Sequence, residues 1–184
     1  MAERPYHHGD LKNALVSAGI DILEAEGLPA LSLRAIAARA GVSHAAPKNH
    51  FGSLRGLLTA ISAEGFRRHA DFMRRGLDGR ASREDRLLAA VAGYVAFARE
   101  HPALFTLMFS PMHCDFGDPA LAAASAESYA VLRDVSAGLD WDKGALEDGQ
   151  HRTELMLWSM VHGFSTLANA GLFDKGPGGG RPLG

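Results

Sequence analysis

The chain has 184 residues, 47% of them hydrophobic, with a formal net charge of −2 and one cysteine. That size and apolar content suit one or two small globular domains with a real core. They exclude a membrane span, because no apolar run nears the length a bilayer needs. They also exclude an internal disulfide, because Cys114 has no partner in the chain. The opening "MAERPYHHGD" lacks the apolar centre of a signal peptide, so a reducing cytoplasm is the expected compartment. Charge is uneven along the chain. Residues 1–75 hold ten Lys/Arg against seven Asp/Glu, a balance of +3, whereas residues 76–184 hold nine against fourteen, a balance of −5. An anion-facing N-terminal module and scattered surface charge both fit that asymmetry.

The first predicted element is a helix over 10–26. Leu11, Leu15, Ala18, Ile22 and Ala25 recur at steps of four and three and draw one apolar stripe. Asp10 is placed to cap it and Gly27 to stop it. After the connection "LPALS", Ser32 can cap a second helix, "LRAIAARA", with Leu33, Ile36, Ala37 and Ala40 turned inward. Gly41 ends that helix and Val42 plugs the angle after it. Ser43 or His44 can cap a third, closed by Phe51 and Gly52. Three short helices with a tight Gly-Val-Ser turn fit a helix-turn-helix; a generic bundle with a glycine turn fits the same spacing. Pro47 falls near the first turn of the third helix, where a missing N–H is tolerated. It also disfavours helical geometry at Ala46 and predicts a tight start to that helix.

The helical period continues to the end of the pattern. A long helix over 53–75 carries Leu54, Leu57, Leu58, Ile61 and Phe66. "GLDGRAS" interrupts it. The next helix, 83–100, has Leu87, Leu88, Val91, Tyr94, Val95 and Ala98 on its apolar side. A short apolar helix and loop, "HPALFTLMFSPMHCDFGDP", follows. Helices over 119–138 and 151–172 complete the set. The second is apolar almost all round and is expected to be covered on both sides. The tail 175–184 reads as flexible by composition. No segment alternates with period two, so the fold class is all-α.

"LSLRAIAARAGVS" followed by "HF" resembles the signature of the TetR family of bacterial transcriptional regulators, over residues 6–66. "YHHGDL", "GVSHAAP" and "WSMVHG" (Trp158, His162, Gly163) are similar to a subgroup with a Trp-His-Gly C-terminal domain. The resemblance implies a helix-turn-helix domain at 1–52 and a helical effector-binding and dimerisation domain at 53–174. It implies DNA contacts from Ser32 and Arg34 at the start of the second helix. Ser43, His44, Ala45, Lys48 and Asn49 would face the major groove, His50 would lie at the backbone edge, and Phe51 would be core. The chemistry agrees: Asn pairs with adenine, Lys donates to guanine or phosphate, and Ala or Pro touches a thymine methyl. Two departures stand out. Lys48 occupies a position where the family has tyrosine, and Leu54 one where it has lysine, leaving Lys48 and Arg55 to meet phosphate.

Other groups carry weaker signals. His113, Cys114 and Asp115 are adjacent, but no second cluster stands at zinc spacing. Phe105, Met108, Phe109 and Met112 can be core or the adaptable wall of an effector pocket. Trp158 would join that wall. His162 can be a core histidine or the pocket's polar anchor. "GPGGG" has neither the strand nor the helix of a phosphate loop. No catalytic constellation, metal site or cofactor motif stands out. The expectation is therefore a non-enzymatic, homodimeric regulator, acting as a repressor on pseudo-palindromic DNA and released by an apolar small molecule. Its dimer would form through 119–138 and 151–172. The alternative is a helical small-molecule-binding protein or enzyme with degenerate DNA binding.

Overall fold

The computed structural model describes residues 8–77, 82–139, 141 and 149–173, with side chains from residue 11 onward. Eight α-helices are present among the described residues, with no strand. They are α1 (His8–Glu26), α2 (Leu33–Arg39), α3 (Ala46–Phe51), α4 (Leu54–Arg75), α5 (Arg83–Glu100), α6 (Pro102–Met108), α7 (Pro119–Ser136) and α8 (Gly149–Asn169). A 3-10 turn at Leu28–Ala30 joins α1 to α2. The expected tail at 175–184 and residues 1–7 lie outside the described residues.

Packing divides the chain into two compact units. The first contains residues 1–66 and 103–125; the second contains 67–102 and 126–184. In the first, Leu11, Leu15, Ala18 and Ile22 of α1 are buried as the stripe requires, joined by Ile20 and Leu23. Ala25, expected on that stripe, is exposed. The helix also starts at His8, so Asp10 lies inside it and not before it. Ile36 and Ala37 of α2 and Leu57, Leu58 and Ile61 of α4 complete the core, with Leu104, Phe105, Leu107 and Met108 of α6. The start of α6 is held by Glu24, whose carboxylate accepts from the Leu104 amide at 3.1 Å. An exposed ion pair, Arg39 to Glu26 at 2.9 Å, ties the end of α2 to the end of α1.

In the second unit, Ser82 caps α5 by accepting from the Asp85 amide at 3.0 Å. Glu84 and Asp85 in its first turn suit the helix dipole. The buried side of α5 is Ala90, Tyr94, Phe97 and Ala98. Leu88, expected inward, is 66% exposed. It stands two residues before Ala90, about 200° round a helix of 3.6 residues per turn. Gly93 lets α5 approach α4: a Cβ there would meet the Phe72 carbonyl oxygen, and would lie 2.7 Å from the Met73 Cα. The inward side of α8 is Thr153, Glu154, Leu157, Val161 and Ser165. Its other side is open, with Leu155, Met156, Met160, Phe164 and Leu167 exposed. The expectation of cover on both sides is thus not met within a single chain.

Candidate DNA-binding and effector sites

The turn between α2 and α3 is a Schellman motif. Gly41 has φ +68°, a value that glycine adopts without cost. The Val42 amide donates to the Ala37 carbonyl and the Gly41 amide to the Ala38 carbonyl, at 3.0 and 3.2 Å. At the other end of α2, Ser32 caps as expected: its Oγ accepts from the Ala35 amide at 3.1 Å.

The start of α3 differs from expectation. Its N-cap is Ala45, with no side-chain cap bond, and Ser43 and His44 belong to the preceding turn. Ala46 is helical although a proline follows it. The reason is packing: Ala46 and Pro47 are both buried, and burial outweighs the local bias against helix before proline. Pro47 sits in the first turn, where its absent N–H leaves no bond unmade. It is therefore a core residue that sets the helix, not a groove contact.

This arrangement sorts the expected DNA contacts. Ser32, Arg34, Ser43, His44, Ala45, Lys48 and Asn49 are all exposed. His50 is half-buried, edge-on to Phe51 at 6.4 Å between ring centroids. Phe51, expected as core, is only half-buried. Arg34 and Lys48 are engaged in no ion pair among the described residues. Arg55, expected to meet phosphate, donates instead to the Cys114 carbonyl at 3.1 Å. Two neighbouring contacts fasten the same loop to α4. Asp115 donates its amide to Thr59 Oγ1 at 2.9 Å, and the Cys114 thiol lies 3.7 Å from the Leu58 carbonyl. Burial pushes the Cys114 thiol up, so it stays protonated. His113 is paired with Ser110 at 2.8 Å.

The residues expected to line an effector pocket fall in different places. In the first unit, Phe105 and Met108 are core, and Phe109 is half-buried with its ring edge against Phe66 and Phe105. Met112 is 85% exposed, because α6 ends at Met108 and the following turn carries it outward. In the second unit, Trp158 and His162 belong to a network of aromatic and polar groups. The Trp158 indole and His162 Nδ1 both bond to the Tyr94 hydroxyl, the latter at 2.9 Å. The Tyr94 ring packs edge-on against His69 at 4.3 Å, and His69 Nδ1 meets Ser128 Oγ at 2.8 Å. Burial, with the nearby His162, pulls the His69 pKa down to about 3. Burial also lowers that of His162 and raises that of Tyr94. The network is uncharged near neutrality, and its geometry fixes the Trp158 ring.

Residues 15–61 match the family described as bacterial regulatory proteins, tetR family. Residues 87–180 match the family described as tetracyclin repressor-like, C-terminal domain. The chain belongs to the TetR family. It is accordingly a DNA-binding transcriptional regulator of the helix-turn-helix type. An uncharacterized HTH-type transcriptional regulator of Mycobacterium tuberculosis is 28% identical over 165 residues, which are 89% of this chain and 72% of that protein. A solved protein of unknown function from Rhodococcus sp. RHA1 is 32% identical, with TM-score 0.77 over 95% of this chain and 91% of that one. The fold is also that of the TetR family protein ActR of Streptomyces coelicolor, solved with (S)-DNPA. That chain is 16% identical, with TM-score 0.58 over 93% of this chain and 75% of that one. No helix among the described residues of this TetR-family chain is long and apolar enough to cross a membrane.

Proposed function

We propose that this TetR-family regulator is a homodimeric repressor that leaves its operator when a small molecule binds. The observation that carries the DNA half is the sorting of the "GVSHAAPKNHF" segment. Ala46 and Pro47 face the core while Ser43, His44, Ala45, Lys48 and Asn49 face out, beside Arg34 and the capping Ser32. His50 lies at the edge of that surface. Two such units would occupy successive major grooves, about 34–36 Å apart. On this reading residues 1–52 bind DNA and residues 53–174 bind effector and dimerise.

The exposed apolar side of α8 supports a dimer. Five large apolar side chains on one helix form a patch that a soluble protein covers with a partner. A two-fold copy of α7 and α8 would give a four-helix interface. The effector reading rests on Trp158 and His162 of the second unit, an aromatic wall and one polar group in the same network; Phe105 and Met108 are buried in the first unit, and the exposure of Met112 argues against a role as pocket wall. Binding would act through α4, the connecting helix that follows the helix-turn-helix domain, by differing in affinity for two arrangements of the dimer. A cytoplasmic protein is the setting this function requires.

One observation favours the alternative of a helical small-molecule-binding protein with degenerate DNA contacts. Leu54 brings no charge to the start of α4, and Arg55 is turned to the Cys114 carbonyl. A gel shift with DNA from upstream of the protein's own gene separates the two. Retardation of that DNA over unrelated DNA of equal length supports the repressor; no preference supports the alternative.

A further inference from the structure

Glu154 is 6% exposed, on the inward side of α8. Its partners among the described residues are three. Tyr129 donates its hydroxyl to one oxygen at 3.1 Å. Gln150 donates to the other at 3.2 Å, and itself bonds Ser136 Oγ at 3.3 Å. His151 Nδ1 lies 3.8 Å away on a side chain that is 64% exposed. None of these is a permanent cation. Arg133, whose charge reaches Tyr129, stands 3.8 Å from Asp134 on the exposed side of α7. A buried carboxylate normally has a cation or a metal beside it, because desolvating the charge is costly. No group of three metal-ligating side chains exists among the described residues, so a metal is not the answer the residues suggest.

What surrounds the carboxylate is aromatic. The Tyr129 and Trp158 rings meet edge to face at 5.9 Å, and both are half-buried. Trp158 is one turn beyond Glu154 on α8, and its indole is anchored by Tyr94. Tyr129 is anchored by Glu154 itself. Two oriented rings with negative faces, and a carboxylate at their edge, match an organic cation. The rings attract a quaternary or protonated amine, and the carboxylate supplies the charge.

We propose that Glu154, Tyr129 and Trp158 form the recognition site for an organic ammonium ion. The proposal rests on the effector reading of this unit and narrows it from an apolar molecule to an apolar cation. Gln150 is a positioning residue, holding the carboxylate toward the rings. The surrounding Tyr94, His69 and His162 are neutral near pH 7, so they do not repel the cation.

The test uses the full chain with Trp141 replaced by phenylalanine, so that Trp158 alone reports. The probes are phenethyltrimethylammonium and a neutral counterpart of similar size, phenethyl dimethyl carbinol. The cation should quench Trp158 and raise Tm, as a ligand of the native state does. The carbinol should do so more weakly. Glu154→Gln keeps the shape and the Tyr129 bond, and should weaken the cation about tenfold while leaving the carbinol unchanged. Tyr129→Leu, read by Tm, should also lose the preference for the cation and guards against a folding defect in the first variant. Equal binding of both probes, or a cation affinity indifferent to Glu154→Gln, overturns the charge preference and leaves the effector reading standing. Absence of binding by either probe overturns both.

Discussion

At the level of single residues, Lys48 and Arg34 are proposed for the DNA contact, both being exposed on the helix-turn-helix and outside any ion pair among the described residues. Alanine at either should weaken DNA binding without lowering Tm. The log–log salt dependence should flatten by about one unit for each phosphate left without its cation, as a salt titration would read. A slope unchanged in both variants counts against that surface. Ser32→Ala has a different signature. It removes the α2 cap and should cost about 1 kcal/mol in urea unfolding. His69 gives a pH prediction. Its folded pKa is pulled down to about 3, below the ordinary 6.5 of an unfolded chain. The unfolded state therefore binds the proton first. Stability is full above about pH 6.5 and falls as pH drops toward 3, by about 1.4 kcal/mol per pH unit for one proton. His69→Gln should flatten the decline in urea-unfolding free energy between pH 6.5 and 5. An unaltered slope would mean that His69 is not the group withheld from protons.

Helix boundaries and faces show what a sequence can carry. Helix α5 was legible in its bounds, 83–100, but not fully in its inward side, since Leu88 of the expected apolar side is exposed and Phe97 is buried instead. Helix α3 was legible as an element but not in its start, because Pro47 is decided by burial against the first unit and no local signal records that. Helix α8 hid its orientation. A sequence apolar all round does not say which side faces the protein, and the inner side proved to hold Thr153, Glu154 and Ser165. The pairing of Glu154 with Tyr129, and of Arg55 with Cys114, depends on register between distant segments. Helical periodicity contains nothing about that register. Close approach is similarly invisible: Gly93 reads as an ordinary helix glycine until the Phe72 carbonyl is found against it. Gly93→Ala should destabilise the second unit despite alanine's better helix propensity of about 1 kcal/mol. A chemical-denaturation midpoint equal to or above that of the parent would contradict the close packing of α5 on α4.

In the whole molecule, a DNA-reading unit is proposed to work as one half of a dimer. The exposed stripe Met156, Met160, Phe164 and Leu167 on α8 is where the second copy should sit, beside α7. Met160→Glu should yield a monomer by sedimentation at micromolar concentration, and that monomer should lose most operator affinity because each half-site then binds alone. A variant that stays dimeric would place the interface elsewhere. Two helix-turn-helix units of such a dimer would read two half-sites together. Selection of bound duplexes from a random pool by the purified full chain tests it most directly. Enrichment is expected of a pseudo-palindrome whose half-site centres lie one helical turn apart, about 10–10.5 base pairs, or a multiple of it. A pool that stays random through selection, or yields single half-sites with no fixed spacing, would contradict it.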